Sequence, residues 1–248
     1  MMPILRMFLT QVKMHYIWYF RRDGEMMFWT LAMPVFFLIL FSFAFSDGVT
    51  SKSSAFLVPG IIGAQVLSSG FWGVGVMLAT FREKHLLRRV YITPMPAWVF
   101  FASLVVYRVG LLAAQALILI AVGALLFHVR IIGNPLAILA VLLLGTATFV
   151  SLGTIIGALA RTTESANNIA SVLTVPLAFL SDAYVPIDRF PHAVSSALRL
   201  LPSTQFIETF RGVSVGGEPL TRFTVWIVAL AVWMIAGTLI SARTFRWV

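Results

Sequence analysis

Long apolar runs separated by short polar segments constrain this chain more than any other feature of its sequence. Of its 248 residues, 60% are hydrophobic and only 11% are charged, and the mean hydropathy is +0.95. A helix of roughly 20 apolar residues crosses the hydrocarbon core of a bilayer, whereas soluble domains carry about 25% charged residues. The sequence therefore predicts an all-α integral membrane protein with six transmembrane helices. The predicted spans cover residues 28–46, 55–80, 97–127, 135–160, 169–184 and 222–242.

Two segments beside these runs have a different pattern. Residues 1–27 interleave charged residues with apolar and aromatic ones, which predicts an N-terminal helix lying in the membrane interface, ahead of a single transmembrane domain over 28–248. Residues 181–221 consist of short amphipathic pieces separated by prolines. Each piece is too short to cross a bilayer and too apolar for a free loop, so we expect external re-entrant or surface helices before the last span.

The segment 81–96 is the densest group of charges in the chain. Apolar residues recur at helical spacing opposite these charges, and Thr93-Pro94 ends the pattern, so we predict a short amphipathic helix at the membrane surface. The residues alone leave two interpretations open: a basic anchor that fixes topology, or a docking surface for a soluble partner. The charged residues in question are Arg82, Glu83, Lys84, Arg88 and Arg89.

Two features inside the predicted spans are informative. Span two carries glycines at positions 60, 63, 70, 73 and 75, and such small residues allow close approach of backbones, so this span should lie in a helix interface. Span three contains a single charge, Arg108. An arginine at this depth normally faces an aqueous cavity, a partner acid or the headgroups, and all three remain open.

The distribution of charge predicts orientation. The formal net charge is +9, and most of the 18 Lys and Arg residues lie in the N-terminal segment, in 81–96, in the 161–168 loop and in the C-terminal tail. Because basic loops stay on the cytoplasmic side, both termini and 81–96 are predicted to be cytoplasmic and 181–221 external. Contact with anionic lipid explains this excess better than nucleic acid does, because no long polar region carries a basic and aromatic patch.

The residue types needed for catalysis are missing from the predicted spans. The chain has no Cys, its four His residues fall outside the spans, and no carboxylate lies in mid-span. Neither HExxH nor the phosphate-binding pattern GxxxxGK[ST] occurs. We therefore predict no catalytic site, no metal site and no ATPase site in this chain, and an intramembrane enzyme is disfavoured.

Several motifs, in order along nearly the whole chain, resemble the membrane subunit of type-2 ATP-binding-cassette (ABC) exporters, a permease family that includes drug, polysaccharide and nodulation-factor exporters. Two positions depart from the family pattern: His85 and Asp182 stand where glycine is usual. The motifs are Arg82-Glu83-Lys84 with Arg89 and Thr93-Pro94, then Ala160 to Asn167, Pro176 to Ser181, Ser181 to Pro186, Phe190-Pro191, Leu201-Pro202 and Phe210-Arg211-Gly212.

The resemblance implies a function and a set of partners. Segment 81–96 would be a coupling helix that docks on a cytoplasmic ABC ATPase, with ATP and Mg²⁺ bound by that subunit and no cofactor in this chain. Two ATPase copies and two permease chains, a homodimer or alternatively a heterodimer, would move a hydrophobic drug-like, lipid-linked or glycan substrate out across the bacterial cytoplasmic membrane. A non-transporting scaffold that recruits a partner through 81–96 is the alternative.

The candidate site residues form three groups, and all but Arg108, which is singled out by its charge within a span, come from this resemblance. The ATPase-coupling residues are Arg82, Glu83, Arg88, Arg89, Thr93 and Pro94. The substrate-path candidates are Phe71, Trp72, Arg108, Asn167 and Asn168. The external re-entrant signature consists of Ser181, Pro186, Pro191, Pro202 and Arg211.

Overall fold

The computed structural model describes residues 4–22, 24–44, 51–86 and 96–244, which are helical with no strand among them. A π-helix covers Phe71–Val76, and 3₁₀ turns cover Ile187–Arg189 and Leu220–Phe223. The α-helices in chain order are α1 (Ile4–Arg22), α2 (Gly24–Ala44), α3 (Ser51–Gly70), α4 (Met77–Glu83), α5 (Ala97–Phe127), α6 (Pro135–Leu159), α7 (Thr163–Leu180), α8 (His192–Leu198), α9 (Pro202–Ser214) and α10 (Thr224–Thr244).

Within the described residues, four helical stretches are long and apolar enough to cross a membrane. They cover Ser54–Glu83, Trp98–Phe127, Pro135–Leu159 and Leu220–Thr244, where the sequence predicts spans two, three, four and six. At the other two predicted spans lie α2 and α7. A multi-pass helical membrane protein is thus confirmed, and the full number of six crossings stays a prediction.

One predicted boundary is wrong. The polar stretch 161–168 is not a loop, because α7 begins at Thr163 and includes most of it. The Thr162 side chain accepts a hydrogen bond from the Ser165 amide at 3.1 Å, and such an N-cap starts the helix earlier than apolar content suggests.

The second span does not end where the predicted surface helix begins. The π-helix and α4 prolong α3 without interruption, so Phe81 to Glu83 continue the span instead of lying along the membrane surface. The helix stops at Lys84 and His85, and His85 has a left-handed backbone with φ of 54°. A left-handed residue is a common way to end a helix, and glycine adopts it at the lowest cost.

Close helix approach in span two confirms its predicted place in an interface. A Cβ added at Gly70 would overlap the backbone of Phe149, and one added at Gly153 would overlap the Gly70 carbonyl. Beside this contact, the rings of Phe149 and Phe206 lie 6.2 Å apart edge to face, and both side chains are fully buried. The core of the bundle therefore lies among α3, α6 and α9.

The segment between α7 and α10 contains one exposed helix and one helix that is buried within the chain. Helix α8 buries none of its residues, whereas α9 packs against α3, α6 and α10 and buries Phe206, Ile207 and Phe210 completely. At 13 residues, α9 is too short to cross a bilayer. Its burial is the behaviour expected of the predicted re-entrant segment.

Candidate functional site

One polar cluster joins the ends of α4, α6 and α7, and we refer to it as the α4–α6–α7 junction. Arg82 Nη1 donates a hydrogen bond to the Ala158 carbonyl in the last turn of α6 at 3.0 Å. Glu83 Oε2 accepts hydrogen bonds from the Thr163 amide, at 2.7 Å, and from the Thr163 hydroxyl. The Thr163 and Thr80 hydroxyls are 3.1 Å apart. Two of the predicted coupling residues are therefore brought together with the α6–α7 turn.

The charges at the junction match the helix ends that they contact. A cation is favourable at the carboxyl end of a helix, where backbone carbonyls are unpaired, and an anion is favourable at the amino end, where backbone amides are unpaired. Arg82 lies at the carboxyl end of α6 and Glu83 at the amino end of α7. Together they satisfy backbone groups that the turn at residues 160–162 would otherwise leave to solvent.

The remaining coupling residues, Arg88, Arg89, Thr93 and Pro94, lie outside the described residues. Their predicted role therefore stays a prediction. Lys84 and His85, which precede them, are exposed at the end of the second span.

Arg108 contacts the π-helix of the second span. Its Nη2 donates a hydrogen bond to the Gly73 carbonyl, and its guanidinium lies 5.2 Å from the ring centre of Tyr107. A Cβ at Gly73 would lie 2.6 Å from the guanidinium carbon, so the glycine makes room for the arginine. A backbone carbonyl acceptor is not one of the three surroundings that the sequence predicts for Arg108. It is available because π-helical segments have altered carbonyl positions, a geometry frequent at functional sites.

Helix α1 covers the Arg108 turn of α5. The rings of Tyr16 and Tyr107 meet edge to face at 5.0 Å, and the Tyr16 hydroxyl lies against Gly110. The ring of His15 stacks on that of Tyr107, with the ring centres 5.6 Å apart. Burial and, to a smaller extent, the positive charge of Arg108 lower the pKa of His15 from 6.5 to about 4. The N-terminal helix is thus docked on α5 rather than attached only to lipid.

The other substrate-path candidates differ in their surroundings. Phe71 is buried, with its ring 6.1 Å from that of Phe149, so it packs within the chain. Trp72 is 42% exposed, and Asn168 is exposed on α7 beside the half-buried Asn167. The structure does not bring these four side chains into one pocket, and their role on a path stays a prediction.

A buried ion pair organises the predicted external segment. Arg211 on α9 donates from Nη1 to the Asp182 carboxylate and from Nη2 to the Asp182 carbonyl, the latter at 2.5 Å. Its guanidinium lies 3.8 Å from the centre of the Phe56 ring on α3. Asp182 Oδ1 also accepts a hydrogen bond from the Ile187 amide at 2.8 Å. Three separate parts of the chain therefore meet at Arg211.

Burial sets the protonation behaviour around this pair. Desolvation lowers the pKa of Arg211, although Asp182 opposes the shift. On the same helix, burial raises the pKa of the Glu208 carboxyl, and Arg199 opposes that shift from 4.0 Å away. The sequence identified Arg211 as a signature residue but missed its partner. The signal was the acid, Asp182, at a position where the resembled family has glycine.

The other signature residues shape the backbone of this segment. Pro186 and Pro191 occupy the residues just before short helices, and Pro202 is the first residue of α9. Proline fits these positions because it lacks the amide that a helix start leaves unpaired. Ser181 is fully buried at the end of α7.

A cavity of about 480 Å³ lies between α5, α6 and α10. Its walls are largely apolar, and on one side the hydroxyls of Thr154 and Ser241 are hydrogen-bonded at 2.6 Å. A cavity of this size and lining could hold a hydrophobic molecule. The sequence could not indicate it, because its walls come from three spans far apart in the chain.

Comparison with known proteins places this architecture among transport proteins. Residues 9–215 match the family described as ABC-2 type transporter. The chain is 22% identical over 211 residues to the putative transport permease YvfS of Bacillus subtilis, covering 84% of this chain and 86% of the relative. It is 28% identical over 108 residues to nodulation protein J of Rhizobium leguminosarum bv. trifolii, covering 44% of this chain and 41% of that protein.

Proposed function

Because the chain belongs to the ABC-2 type transporter family, we propose that it is the membrane subunit of an ATP-driven exporter. It is a multi-pass membrane permease, and in this family ATPase activity resides on a separate subunit. The proposed cargo is a hydrophobic drug-like molecule or a lipid-linked or glycan substrate. The observation that carries the proposal is the family match over residues 9–215, which includes both the α4–α6–α7 junction and the Asp182–Arg211 pair.

The proposed partner is a cytoplasmic ABC ATPase, in two copies, that binds ATP and Mg²⁺ and contacts segment 81–96. The second span supports this, because its helix continues to Glu83 and so includes the first residues of that segment. We place the protein in the bacterial cytoplasmic membrane with both termini in the cytoplasm, which agrees with the basic residues near the chain ends and in 81–96.

The proposed assembly contains a second permease chain, as a homodimer or a heterodimer. Large apolar side chains on α7 and α2 support this, since Val172 is 70% exposed, Val175 55% and Phe36 55%. Exposed apolar side chains on a transmembrane helix can face either lipid or another subunit. Exposed Trp72 and Asn168 would then lie near the path between the two chains.

The test is a pull-down of the tagged chain from its native membrane in mild detergent, with mass spectrometry of the retained proteins. We expect a P-loop ATPase near one-to-one, and ATP-dependent movement of a hydrophobic dye into inside-out vesicles that hold the complex. A well-folded chain that retains no ATPase contradicts the proposal. A complex that hydrolyses ATP but moves no candidate substrate of any proposed class favours the scaffold alternative.

A further inference from the structure

We propose that Arg82 and Glu83 act as an intramolecular clamp that transmits movement of segment 81–96 to α7. They would be positioning residues within the permease rather than contacts to the ATPase. The inference rests on the proposed function, because it concerns how the force of a docked ATPase reaches the bundle. It changes the role that the family resemblance implies for these two side chains.

The two side chains point into their own chain, toward α6 and α7. Both project toward the α6–α7 turn, and each ends on a backbone group of the helix on one side of it: Arg82 on the Ala158 carbonyl of α6 and Glu83 on the Thr163 amide of α7. The Glu83 carboxylate also binds the Thr163 hydroxyl. Both bonds end on the same oxygen, Oε2, and so orient the carboxylate toward α7 of its own chain.

Helix α4 is tightly packed against α6. Leu78 and Ala79 are completely buried, and a Cβ at Gly157 would lie 2.8 Å from the Cβ of Leu78. Helix α4 therefore sits against α6 with no room to slide independently. Densely packed helices move as units, so a displacement at the end of α4 is delivered to its neighbours.

The turn between α6 and α7 is short and is held on both sides. Only residues 160–162 separate α6 from α7, so Arg82 holds one side of this turn and Glu83 the other. Hydrogen bonds to ionised groups are roughly twice as strong as neutral ones. The first turn of α7 must then follow the end of α4. Farther along, α7 carries the exposed apolar side chains Val172 and Val175 that we propose contact the second permease chain.

The clamp can be tested first in the permease alone, reconstituted in lipid nanodiscs. Hydrogen–deuterium exchange of the peptide covering 160–166 should accelerate about tenfold in Glu83→Ala, the size of effect expected when a helix-capping acceptor is removed. Thr163→Val, which removes only the hydroxyl, should show a smaller acceleration. Glu164→Ala is the matched control, because it removes an exposed acid of the same charge from the first turn of α7. It reports the effect of losing a negative charge at this helix end, and the acceleration in Glu83→Ala should exceed it. Equal exchange in Glu83→Ala and wild type overturns the clamp.

Its role in coupling is tested in the complex with the co-purified ATPase. The chain has no Cys, so spin labels at Lys84→Cys and Asn168→Cys report one defined distance within each chain. With the clamp intact, this distance should stay the same when the ATPase is trapped with ATP and vanadate. In Glu83→Ala the distribution of this distance should broaden or shift on trapping, and in Glu164→Ala it should not.

The two proposals fail in different ways. If the wild-type chain retains no ATPase, the proposed function is wrong and the coupling role falls with it. If the ATPase is retained at equal content in every variant and the label distance in Glu83→Ala matches wild type in both states, only the clamp is overturned. Accelerated exchange together with a trapping-dependent distance change supports both.

Discussion

Truncating Asp182 should destabilise this protein more than any other single loss of a side chain in the external segment. Its carboxylate is 8% exposed, and it pairs with the Arg211 guanidinium, whose side chain is 18% exposed. Asp182→Ala would leave that guanidinium buried over the Phe56 ring without its counter-ion. It would also remove the acceptor of the Ile187 amide, which closes the turn after α7.

The magnitude follows from the burial of the pair. Breaking a buried ion pair by removing one partner costs about 3–5 kcal/mol, because an uncompensated charge remains in a low-dielectric site. For a chain of this size each kcal/mol corresponds to roughly 2–4 °C in the unfolding midpoint, so Asp182→Ala should lower it by about 10 °C. Asp182 has a left-handed backbone with φ of 67°, so Asp182→Gly should be less damaging than Asp182→Ala by about 1 kcal/mol.

The assay is thermal unfolding in detergent at pH 7.5, followed by the fluorescence of the 7 tryptophans. A double variant separates loss of the pair from loss of packing. Replacing a whole buried ion pair by apolar groups is often neutral, so Asp182→Ala combined with Arg211→Met should recover most of the lost midpoint. A midpoint for Asp182→Ala within about 2 °C of wild type would refute the reasoning, as would simple additivity in the double variant.

Three further predictions concern close contacts and pH. Gly110→Ala should lower the unfolding midpoint by several degrees because its Cβ overlaps the Tyr16 hydroxyl, and adding Tyr16→Phe to the same chain should restore most of the loss. Burial holds the pKa of His15 at about 4, below its ordinary 6.5, so docking of α1 should be strongest above pH 6.5 and weaken as pH falls toward 4. Proteolysis of α1 measured against pH should show this, and His15→Phe should abolish the dependence. Gly153→Ala should lower the free energy of unfolding by about 3 kcal/mol or prevent folding, because its Cβ meets the Gly70 carbonyl, which cannot rotate away. A normal expression yield together with an unchanged unfolding midpoint would contradict this prediction.

The positions of the apolar spans were predictable because hydrophobic length is a local property. The predicted span 135–160 corresponds to α6 at Pro135–Leu159, and the predicted span 97–127 matches α5 at Ala97–Phe127. Asn134 accepts a hydrogen bond from the Leu136 amide and caps α6, and Pro135 follows it as the first residue. Such start signals lie within a few residues of the element that they begin.

The start of α7 was predicted wrongly because hydropathy does not register caps. Residues 161–168 are polar and resemble a loop, yet the Thr162 side chain and the Glu83 carboxylate satisfy the first amides of the helix. Only the first of these caps is visible in the local sequence. Glu83 comes from a position 80 residues earlier in the chain.

The two departures from the family glycine pattern were visible in the sequence, but their geometry was not. His85 and Asp182 both adopt left-handed backbone conformations, with φ of 54° and 67°. Glycine suits such positions because it has no Cβ. At position 182 the cost is offset by the ion pair, whereas His85 only ends the helix that leads into the proposed coupling segment.

The sequence by itself determined that this chain is a helical membrane protein, where its longest spans lie and which family it resembles, since these depend on runs and motifs of neighbouring residues. Only the tertiary structure decided which charges pair. Arg211 meets Asp182 from 29 residues away, and Glu83 meets Thr163 from 80 residues away. Such partners are set by which helix ends the packing brings together, and an ion pair or a cap gains its strength only from that proximity and from the exclusion of water.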